Sequence, residues 1–376
     1  MSDETDGDAT GRSGAGGSDG AEEPPVTGST DDLPAGDRGV IGAGSTDDPA
    51  AIADAIAAAV ERVVVGNRPA VEDLTVALLT RGHVLLEGVP GVAKTTLANA
   101  FARAGALEYR RVQMTPDVLP ADITGTHVYR EQTGAFELQR GPVFANVVVA
   151  DEINRATPKT QSALLETMQE RQVTIEGETI PLPSPFILVA TQNPIEMEGV
   201  YRLPEAQRDR FQQKVTMPLP DRETEHAVLD RFDDEPALTP AVIEPVVSRA
   251  DVLAAREHVG TVHVARPVKE YALDLVAATR EHPDVVHGAS PRASLSFLSV
   301  AKGRAAIDGR GYAIPDDVKG SAVAVLAHRL VLGPDAELGD VSPETVVEDV
   351  IATVEPPGAD EATLAPDEPT PGAAED

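Results

Sequence analysis

The sequence predicts an α/β fold in which a parallel five-stranded sheet is flanked by helices and followed by a smaller all-α domain. Two observations support this prediction. Over residues 51–217, short apolar runs alternate with segments of helical periodicity, which is typical of a parallel sheet covered on both faces. After Pro220 the apolar runs end, and helical patterns remain, separated by loops of Pro, Gly and Asp.

The expected elements follow in order. Candidate strands lie at 83–86, 109–114, 147–150, 186–190 and 212–217. Candidate helices of the first part lie at 51–65, 71–80 and 94–104. Two hairpins are expected at 127–138 and 173–180, because each joins two strand-like runs through a turn that contains glycine. Helices of the second part are expected at 223–232, 249–259, 267–281, 291–308 and 315–331.

Composition sets the expected domain boundaries. Residues 1–48 and 355–376 are rich in Gly, Pro, Asp and Glu and have few large apolar side chains. Such segments cannot bury enough surface to offset the entropy lost on ordering. We therefore expect disordered acidic tails there, around an α/β domain at 49–222 and a helical lid domain at 223–354.

The charge balance argues against one class of partner. The chain has 62 acidic and 31 basic residues, for a net charge of −31. Extended nucleic-acid binding needs clustered Lys and Arg, so a nucleic-acid partner is not expected. Only 6 of the basic residues are Lys. Scarce Lys and an acidic body are typical of halophilic proteins, although high genomic GC content would produce part of the same bias.

The expected compartment follows from the lack of a membrane span, of a signal peptide and of cysteine in the sequence. No apolar run approaches the roughly 20 residues that a membrane span needs. The first residues, MSDETDGDAT, have neither the basic region nor the apolar stretch of a signal peptide. The chain has no Cys, which excludes disulfides and thiolate metal sites. These observations predict a cytoplasmic protein without a membrane span.

A glycine-rich loop joins the first strand to the helix at 94–104. In this setting, backbone N–H groups at the helix N-terminus bind phosphate. Lys94 would add a charge at the β/γ oxygens, and the Thr95 hydroxyl would bind Mg²⁺. Ala93 departs from the usual Gly before the lysine, and we expect it to be tolerated only with a negative φ. The alternative interpretation is a glycine-rich turn without a ligand.

Two adjacent carboxylates, Asp151 and Glu152, end the apolar run 147–150. In phosphate-loop ATPases, one acid at this place holds Mg²⁺ and the next acts as base on the attacking water. Successive strand side chains point to opposite faces, so both reach one site only if the chain turns there. Two exposed acids at the end of a strand are the alternative.

Three further polar residues are candidates for contact with phosphate. Asn193 follows the strand at 186–190 and could hydrogen-bond the γ-phosphate, although Asn-Pro also forms turns. Arg210 could reach a neighbouring subunit's γ-phosphate, or else form a surface ion pair with Asp209 or Glu205. Arg292 follows the expected N-cap Ser290, where the helix dipole disfavours a cation and so favours an anionic partner; a solvated arginine is the alternative.

Five segments in this order resemble the MoxR family of AAA+ ATPases. They are GVPGVAKTTLANA, RVQMTPDVLPADITGT, AFELQRGPVFANVVVADEINRATPKTQSALLETMQER, ATQNPIEMEGVYRLPEAQRDRF and GASPRASLSFL. The resemblance covers roughly residues 50–332. It implies an AAA+ P-loop NTPase fold with a lid and hydrolysis of ATP with Mg²⁺. It also implies a homo-oligomeric ring, commonly a hexamer, with a von Willebrand factor A domain protein as partner. Such pairs resemble chaperones that mature, or load metal into, client proteins, and nothing in the sequence names the client.

The resemblance also implies roles for individual residues. The ATP-binding residues would be Gly88, Val89, Pro90, Gly91, Val92, Ala93, Lys94, Thr95 and Thr96. Thr95 and Asp151 would hold Mg²⁺, and Glu152 would be the base. Asn193 would be sensor 1, Arg210 the finger that acts on the neighbour's nucleotide, and Arg292 sensor 2. Alanine before the lysine is a familiar variant in this family. Arg208 stands where relatives usually have an apolar residue, so it takes no role.

Three alternatives share part of this pattern. A motor subunit of a magnesium-chelatase-like complex needs the same nucleotide site, so the motifs do not exclude it. A nucleic-acid remodeller predicts basic hairpins, whereas 127–138 and 173–180 contain Arg130 but also four Glu residues. A protein that binds ATP without turnover would not need Glu152, Asn193 and Arg210 together.

Overall fold

The computed structural model describes residues 46–194 and 201–358. The acidic tails expected at 1–48 and 355–376 therefore lie almost wholly outside the described residues. The described residues all belong to one compact unit. A division between two domains at residue 222 remains a prediction.

The α/β part contains the first nine strands and six helices. In chain order they are α1 (Pro49–Glu61), α2 (Arg68–Leu79), β1 (Val84–Gly88), α3 (Lys94–Ala104), β2 (Tyr109–Gln113), α4 (Pro120–Thr124), β3 (Gly125–Arg130), β4 (Ala135–Arg140), β5 (Val147–Asp151), α5 (Pro158–Glu170), β6 (Gln172–Ile175), β7 (Glu178–Pro181), β8 (Ile187–Gln192), α6 (Glu205–Arg208) and β9 (Gln213–Met217).

The helical part follows. Its elements are α7 (Arg222–Asp234), α8 (Arg249–Thr261), α9 (Arg266–Glu281), β10 (Val285–His287), α10 (Pro291–Ile307), α11 (Pro315–Leu326), β11 (Val331–Leu332), α12 (Pro334–Leu338) and α13 (Pro343–Thr353). None of the helices in residues 46–194 and 201–358 is both long enough and apolar enough to cross a bilayer.

The central sheet has five strands in the order β2-β5-β8-β1-β9, and every neighbouring pair is parallel. This confirms the predicted five-stranded parallel sheet. Side chains alternate between its two faces: Val84 and Leu86 pack into one apolar cluster, and Leu85 packs into the other. Because all strands run the same way, their carboxyl ends meet at one edge of the sheet and their amino ends at the opposite edge.

The first apolar cluster joins α1, α2 and α3 to the helical part, and the second lies under α5 and the hairpins. Both hairpins form as predicted, and each is a two-stranded sheet of its own. In the first, β3 pairs with β4, and in the second β6 pairs with β7. The low aromatic content leaves these cores to Val, Ala, Leu and Ile, as expected from composition.

Four of the helices begin in the same way. A polar N-cap side chain accepts a backbone hydrogen bond from the first turn, and proline occupies the first helical position. The pairs are Asp48-Pro49, Thr157-Pro158, Ser290-Pro291 and Ser342-Pro343. The second and fourth pairs start α5 and α13, two helices that the periodicity analysis did not predict.

One predicted helix is wrong in its second half. The helix expected at 315–331 ends at Leu326, and a 3-10 turn at Ala327–Arg329 leads into β11. β11 then pairs with β10. A run of apolar residues has the same appearance in a buried helix and in a short strand, so periodicity could not separate the two. This turn places Arg329 in the interior of the protein.

Candidate functional site

The glycine-rich loop lies at the carboxyl end of β1, and α3 begins at Lys94. Ala93 has φ of 63°, so the expectation of a negative φ is wrong. The left-handed conformation costs a non-glycine residue about 1–2 kcal/mol. The loop holds it there because the Ala93 carbonyl must accept the first helical bond, from Leu97 N at 2.8 Å. Alanine is tolerated through its small side chain, which packs against the apolar cluster.

A cavity of about 410 Å³, here called the lysine cavity, opens beside this loop. Its lining residues are Pro90, Gly91, Val92, Ala93, Lys94, Thr95, Thr96, Asp151, Glu152, Thr191, Gln192 and Asn193. Gly88 and Val89 lie outside this lining, and their carbonyl oxygens accept hydrogen bonds from Lys94 Nζ. The structure therefore brings together residues from the carboxyl ends of β1, β5 and β8.

The two acids reach the lysine cavity because the chain turns between them. Asp151 is the last residue of β5, and Glu152 has a left-handed φ of 57°. Thr95 Oγ1 donates to Asp151 Oδ2 at 3.1 Å, which joins the loop to the acid. Burial raises the pKa of Asp151, but hydrogen bonds from Thr191, Arg111 and Thr95 outweigh it and hold the pKa below its ordinary value. Asp151 is therefore charged and accepts hydrogen bonds from three sides.

Several partners of these acids were missed by the sequence reasoning. Arg111 pairs with Asp151, with its Nη2 2.7 Å from Oδ2. Gln113 Nε2 donates to Glu152 Oε2 at 2.7 Å, and Arg155 Nε lies 3.3 Å from the same oxygen. The available signal was strand neighbourhood: β2 runs beside β5 with Gln113 opposite Asp151, and Arg111 and Gln113, two residues apart, lie on the same face of the sheet.

Thr191 is a second partner that was missed. Its hydroxyl donates to Asp151 Oδ1 at 2.5 Å and accepts from Glu152 N at 2.9 Å. It therefore fixes the turn that separates the two acids. Asn193, two residues further on, is 6% exposed and lines the lysine cavity, where the sequence placed it.

Arg210 and Arg292 lie elsewhere. Both line a second cavity of about 360 Å³, here called the arginine cavity, together with Gly82 and His83 before β1 and Gln212 before β9. These are the amino ends of the strands, so the arginine cavity is at the edge opposite the lysine cavity. The two cavities lie at opposite ends of β1, whose length sets a separation of about 13 Å between them. A single copy of the chain does not bring Arg210 to its own Lys94.

Local contacts position the two arginines. Ser290 caps α10 as predicted, accepting from Arg292 N at 3.1 Å, and its hydroxyl also donates to Asp209 at 2.8 Å. Asp209 forms its ion pair with Arg329, at 3.0 Å, and not with Arg210. The proposed alternative, a surface pair between Arg210 and Asp209, is therefore absent from the part of the chain that the structure describes.

Comparison with known proteins places this arrangement in a family. The family model for "ATPase family associated with various cellular activities (AAA)" matches residues 83–213, and the AAA lid domain model matches 277–350. The chain is 46% identical over 304 residues to Chaperone MoxR1 of Mycobacterium tuberculosis, covering 78% of this chain and 80% of that protein. The chain belongs to the MoxR family of AAA ATPases. As a MoxR-family member it is a nucleotide-binding ATPase.

Two other proteins set the range of this similarity. The crystal structure of a proposed ATPase from Cytophaga hutchinsonii superposes on the MoxR-family chain with a TM-score of 0.76 at 40% identity. It covers 82% of this chain and 95% of that one. The magnesium-chelatase 38 kDa subunit of Rhodobacter capsulatus is more distant, 27% identical over 323 residues, with 72% of this chain and 89% of that protein covered. The chain is therefore more similar to MoxR-family ATPases than to the magnesium-chelatase subunit.

Proposed function

We propose that this MoxR-family ATPase is a chaperone-like motor in which each ATP lies between two copies of the chain. The observation that carries the proposal is the separation of the two cavities. Residues suited to bind a triphosphate line the lysine cavity, and arginines suited to act on it line the arginine cavity at the opposite edge. Head-to-tail association of copies joins one cavity to the other, and a rotation that closes produces a ring. A hexamer is the expected form.

Within one copy, the loop residues 88–96 would bind ATP. The first residues of α3 line the cavity, and free backbone N–H groups and the dipole at a helix N-terminus favour phosphate. Lys94 now donates to the loop carbonyls at its base. It would exchange these bonds for bonds to the β/γ oxygens, which bear a full charge and are the stronger acceptors.

Thr95 and Asp151 would hold Mg²⁺. They supply a hydroxyl and a carboxylate oxygen 3.1 Å apart, which are the hard donors that Mg²⁺ prefers, and few protein ligands suffice because Mg²⁺ keeps several waters. The bound ion would neutralise charge on the β and γ phosphates. Glu152 would accept the proton of the attacking water, and the bonds from Gln113 and Arg155 hold its carboxylate in place. Asn193 would hydrogen-bond the γ-phosphate as sensor 1.

Across the interface, Arg210 and Arg292 would contact the neighbour's triphosphate. Arg210 Nε is buried without a hydrogen-bond partner in the described part of the chain, so the group is held without its charge being matched. A phosphate from the next copy would satisfy it and stabilise the charge that develops during hydrolysis. Both arginines are thus proposed to act in trans.

The proposed biological role is supported by the names of related proteins. The 46% identical relative is named a chaperone, which supports remodelling or maturation of client proteins. A cytoplasmic location and a von Willebrand factor A domain protein as partner are proposed from the family resemblance alone. Metal loading is one form such maturation could take. A magnesium-chelatase-like role is the second candidate, supported by the more distant relative. Chelatase activity that requires matching large subunits would favour it.

The nucleotide site is tested by two substitutions. Lys94→Ala should abolish ATP binding, whereas Glu152→Gln should bind ATP and fail to hydrolyse it. Lys269→Ala and Glu270→Gln, on the exposed side of α9, are the matched controls and should hydrolyse ATP like the parent. If Lys94→Ala and Glu152→Gln both hydrolyse ATP at the parent rate, the assignment of the nucleotide site is wrong. The trapped Glu152→Gln form is also the reagent with which to isolate a client.

The arrangement across two copies is tested by mixing inactive variants. Lys94→Ala and Arg210→Ala should each hydrolyse little ATP alone. When mixed, an intact loop of one copy can face an intact Arg210 of the other, so random rings would recover roughly a quarter of the parent rate. Failure of the mixture to recover any activity would place Arg210 outside the neighbour's site.

A further inference from the structure

The arginine cavity contains more cations than the proposed function uses. Besides Arg210 and Arg292 it is lined by Arg81 and Arg171, and among the residues that the structure describes Asp209 is the only carboxylate in its lining. Asp209 is already engaged, because its two oxygens accept from Arg329 and from Ser290. In a chain with twice as many acids as bases, four guanidinium groups around one engaged carboxylate need an explanation.

Arg81 and Arg171 are held together by the backbone. Arg171 caps the carboxyl end of α5 with a φ of 52°, and Arg81 follows α2 with a φ of 60°. Arg171 Nη2 donates to the Arg81 carbonyl oxygen at 2.6 Å. Two left-handed residues from distant parts of the chain are thereby fixed beside each other at the rim of the cavity.

A third guanidinium lies behind them. Arg256, on α8, is 6% exposed, and its Nε donates to the Leu78 carbonyl at 2.8 Å. Its Nη2 is buried and has no hydrogen-bond partner within the described residues. Arg256 lines a smaller cavity that shares Arg81 with the arginine cavity. Glu257 also lines this smaller cavity, but it forms no ion pair with these arginines.

The three cations repel one another. Burial lowers the pKa of Arg171, and the charge of Arg81 lowers it further. Burial, followed by the charges of Arg171 and Arg81, lowers the pKa of Arg256 to about 10. No carboxylate forms an ion pair with any of the three in the regions that the structure describes. A partly buried cluster of like charges is unfavourable unless an anion joins it.

We propose that Arg81 and Arg171, with Arg256 behind them, bind a phosphoryl group in the arginine cavity. The inference rests on the proposed function, which places the neighbour's triphosphate against this cavity. Guanidinium groups bind phosphoryl oxygens through paired, charge-assisted hydrogen bonds, so this ligand matches the cluster in charge and geometry. Two sources supply the same chemistry: the terminal phosphate of the neighbour's nucleotide, and free orthophosphate. Arg81 and Arg171 are then positioning residues for hydrolysis, additional to Arg210 and Arg292.

The test uses a glycine at each left-handed position. Arg81→Gly with Arg171→Gly removes both charges while the backbone conformation is one that glycine adopts readily, so the fold should hold. Asp340→Gly, at a φ of 56°, controls for glycine at such a position. Arg266→Ala controls for loss of an exposed arginine. Removal of repelling charges and of left-handed strain should leave the double variant at least as stable as the parent, so an unfolding midpoint not below the parent's shows that a loss of turnover is not structural.

Two measurements separate the sources. The first is the kcat of ATP hydrolysis and ATP-dependent assembly of the full chain; loss of the contacts should lower kcat by about tenfold or more, which corresponds to the loss of at least one charged hydrogen bond. The second is stabilisation of the Lys94→Ala variant against heat by inorganic phosphate, with and without the two glycine substitutions. If only kcat and assembly change, the ligand of the cluster is the neighbour's nucleotide. If only the stabilisation by inorganic phosphate changes, the ligand is free phosphate.

The outcomes are decisive in each direction. Parent-like kcat, assembly and phosphate response in the double variant would overturn the proposed phosphoryl site. Failure of the proposed function is seen separately, as full ATP turnover by Lys94→Ala. In that case the phosphate measurement still decides whether the cluster binds an oxyanion.

Discussion

Arg329, in the helical part of the chain, forms a buried ion pair with Asp209, the residue that precedes Arg210. Nε lies 3.0 Å from Oδ1, and the arginine is 2% exposed. Arg329 also donates to the Phe211 carbonyl at 2.7 Å and to Ser296 on α10 at 3.0 Å. One side chain therefore fixes the segment that carries Arg210 against the helix that begins beside Arg292. Arg210 and Arg292 therefore share a common support.

Replacing Arg329 should weaken the fold and the reaction together. Arg329→Met leaves Asp209 buried without its partner, and breaking such a pair costs about 3–5 kcal/mol. Urea unfolding measures this loss, and ATP turnover should fall because Arg210 loses its support. Arg68→Met, which breaks exposed ion pairs with Asp54, Glu61 and Glu72, is the control and should cost only about 1 kcal/mol because each pair is exposed to solvent. Equal losses for the two variants would contradict the supporting role.

Ala93 should be improved by glycine. At φ of 63° glycine avoids the left-handed strain, against a smaller entropic cost, so Ala93→Gly should raise the free energy of unfolding by about 0.5–1 kcal/mol. ATP binding should persist because the backbone N–H groups are unchanged. Ala58→Gly, on the exposed face of α1, should instead lower stability by about 0.5–1 kcal/mol. Destabilisation by Ala93→Gly would show that the alanine side chain contributes packing that exceeds its strain.

His83 should make the fold sensitive to acid. Burial, reinforced by the charges of Arg171 and Arg256, lowers the pKa of His83 to about 3, while its Nδ1 accepts from Leu188 N at 3.0 Å. The unfolded chain takes up this proton near pH 6.5 and the folded chain near pH 3. Stability from neutral His83 is therefore complete above pH 6.5 and is lost as the pH falls through this window.

Urea unfolding at pH 7 and pH 5 measures the effect. The loss attributable to His83 is about 2 kcal/mol at pH 5. His83→Gln keeps an acceptor for Leu188 N and does not titrate, so its stability should vary less with pH. His226→Gln, at an exposed position, should retain the parent's pH dependence. An unchanged dependence in His83→Gln would assign the acid sensitivity to other groups.

Stability and turnover should rise in concentrated salt if the acidic body is a halophilic adaptation. Molar salt screens repulsion between surface carboxylates to about 3 Å. The parent should unfold at a higher temperature and hydrolyse ATP faster in about 2 M KCl than in about 0.1 M, where screening reaches about 10 Å. Replacing Asp230, Asp233 and Asp234 on exposed α7 by Asn should reduce the salt requirement. Full activity of the parent in dilute buffer would count against this adaptation.

Sequence reasoning succeeded where the information is local. The loop around Lys94, the acids 151–152 and Asn193 after its strand were each predicted from runs of fewer than about 20 residues. The structure brings them to one cavity. It failed where a contact depends on long-range pairing. Arg111 meets Asp151 only through the alignment of β2 with β5, and Arg329 meets Asp209 across 120 residues.

The sequence also failed to predict which residues adopt strained backbone conformations. Ala93 was expected to avoid the left-handed region because local preference disfavours it, and the loop overrides that preference. Arg81 lies outside the segments that resemble the MoxR family, and Arg171 ends one of them without an assigned role, so the sequence did not indicate a proximity that only the fold creates. Local preference therefore predicted elements and missed the residues that tertiary structure forces into uncommon conformations.

If each ATP lies between two copies, as proposed, the opposite placement of the two cavities makes the abundance of the chain a variable of the reaction. A solitary copy holds two unfinished halves, one with a lysine and one with arginines. Under the proposed arrangement the rate per molecule then grows with the number of molecules present, until every half has met its complement. Dilution would act as a brake that requires no inhibitor, and a cell could set the pace of this motor by how much of the chain it makes.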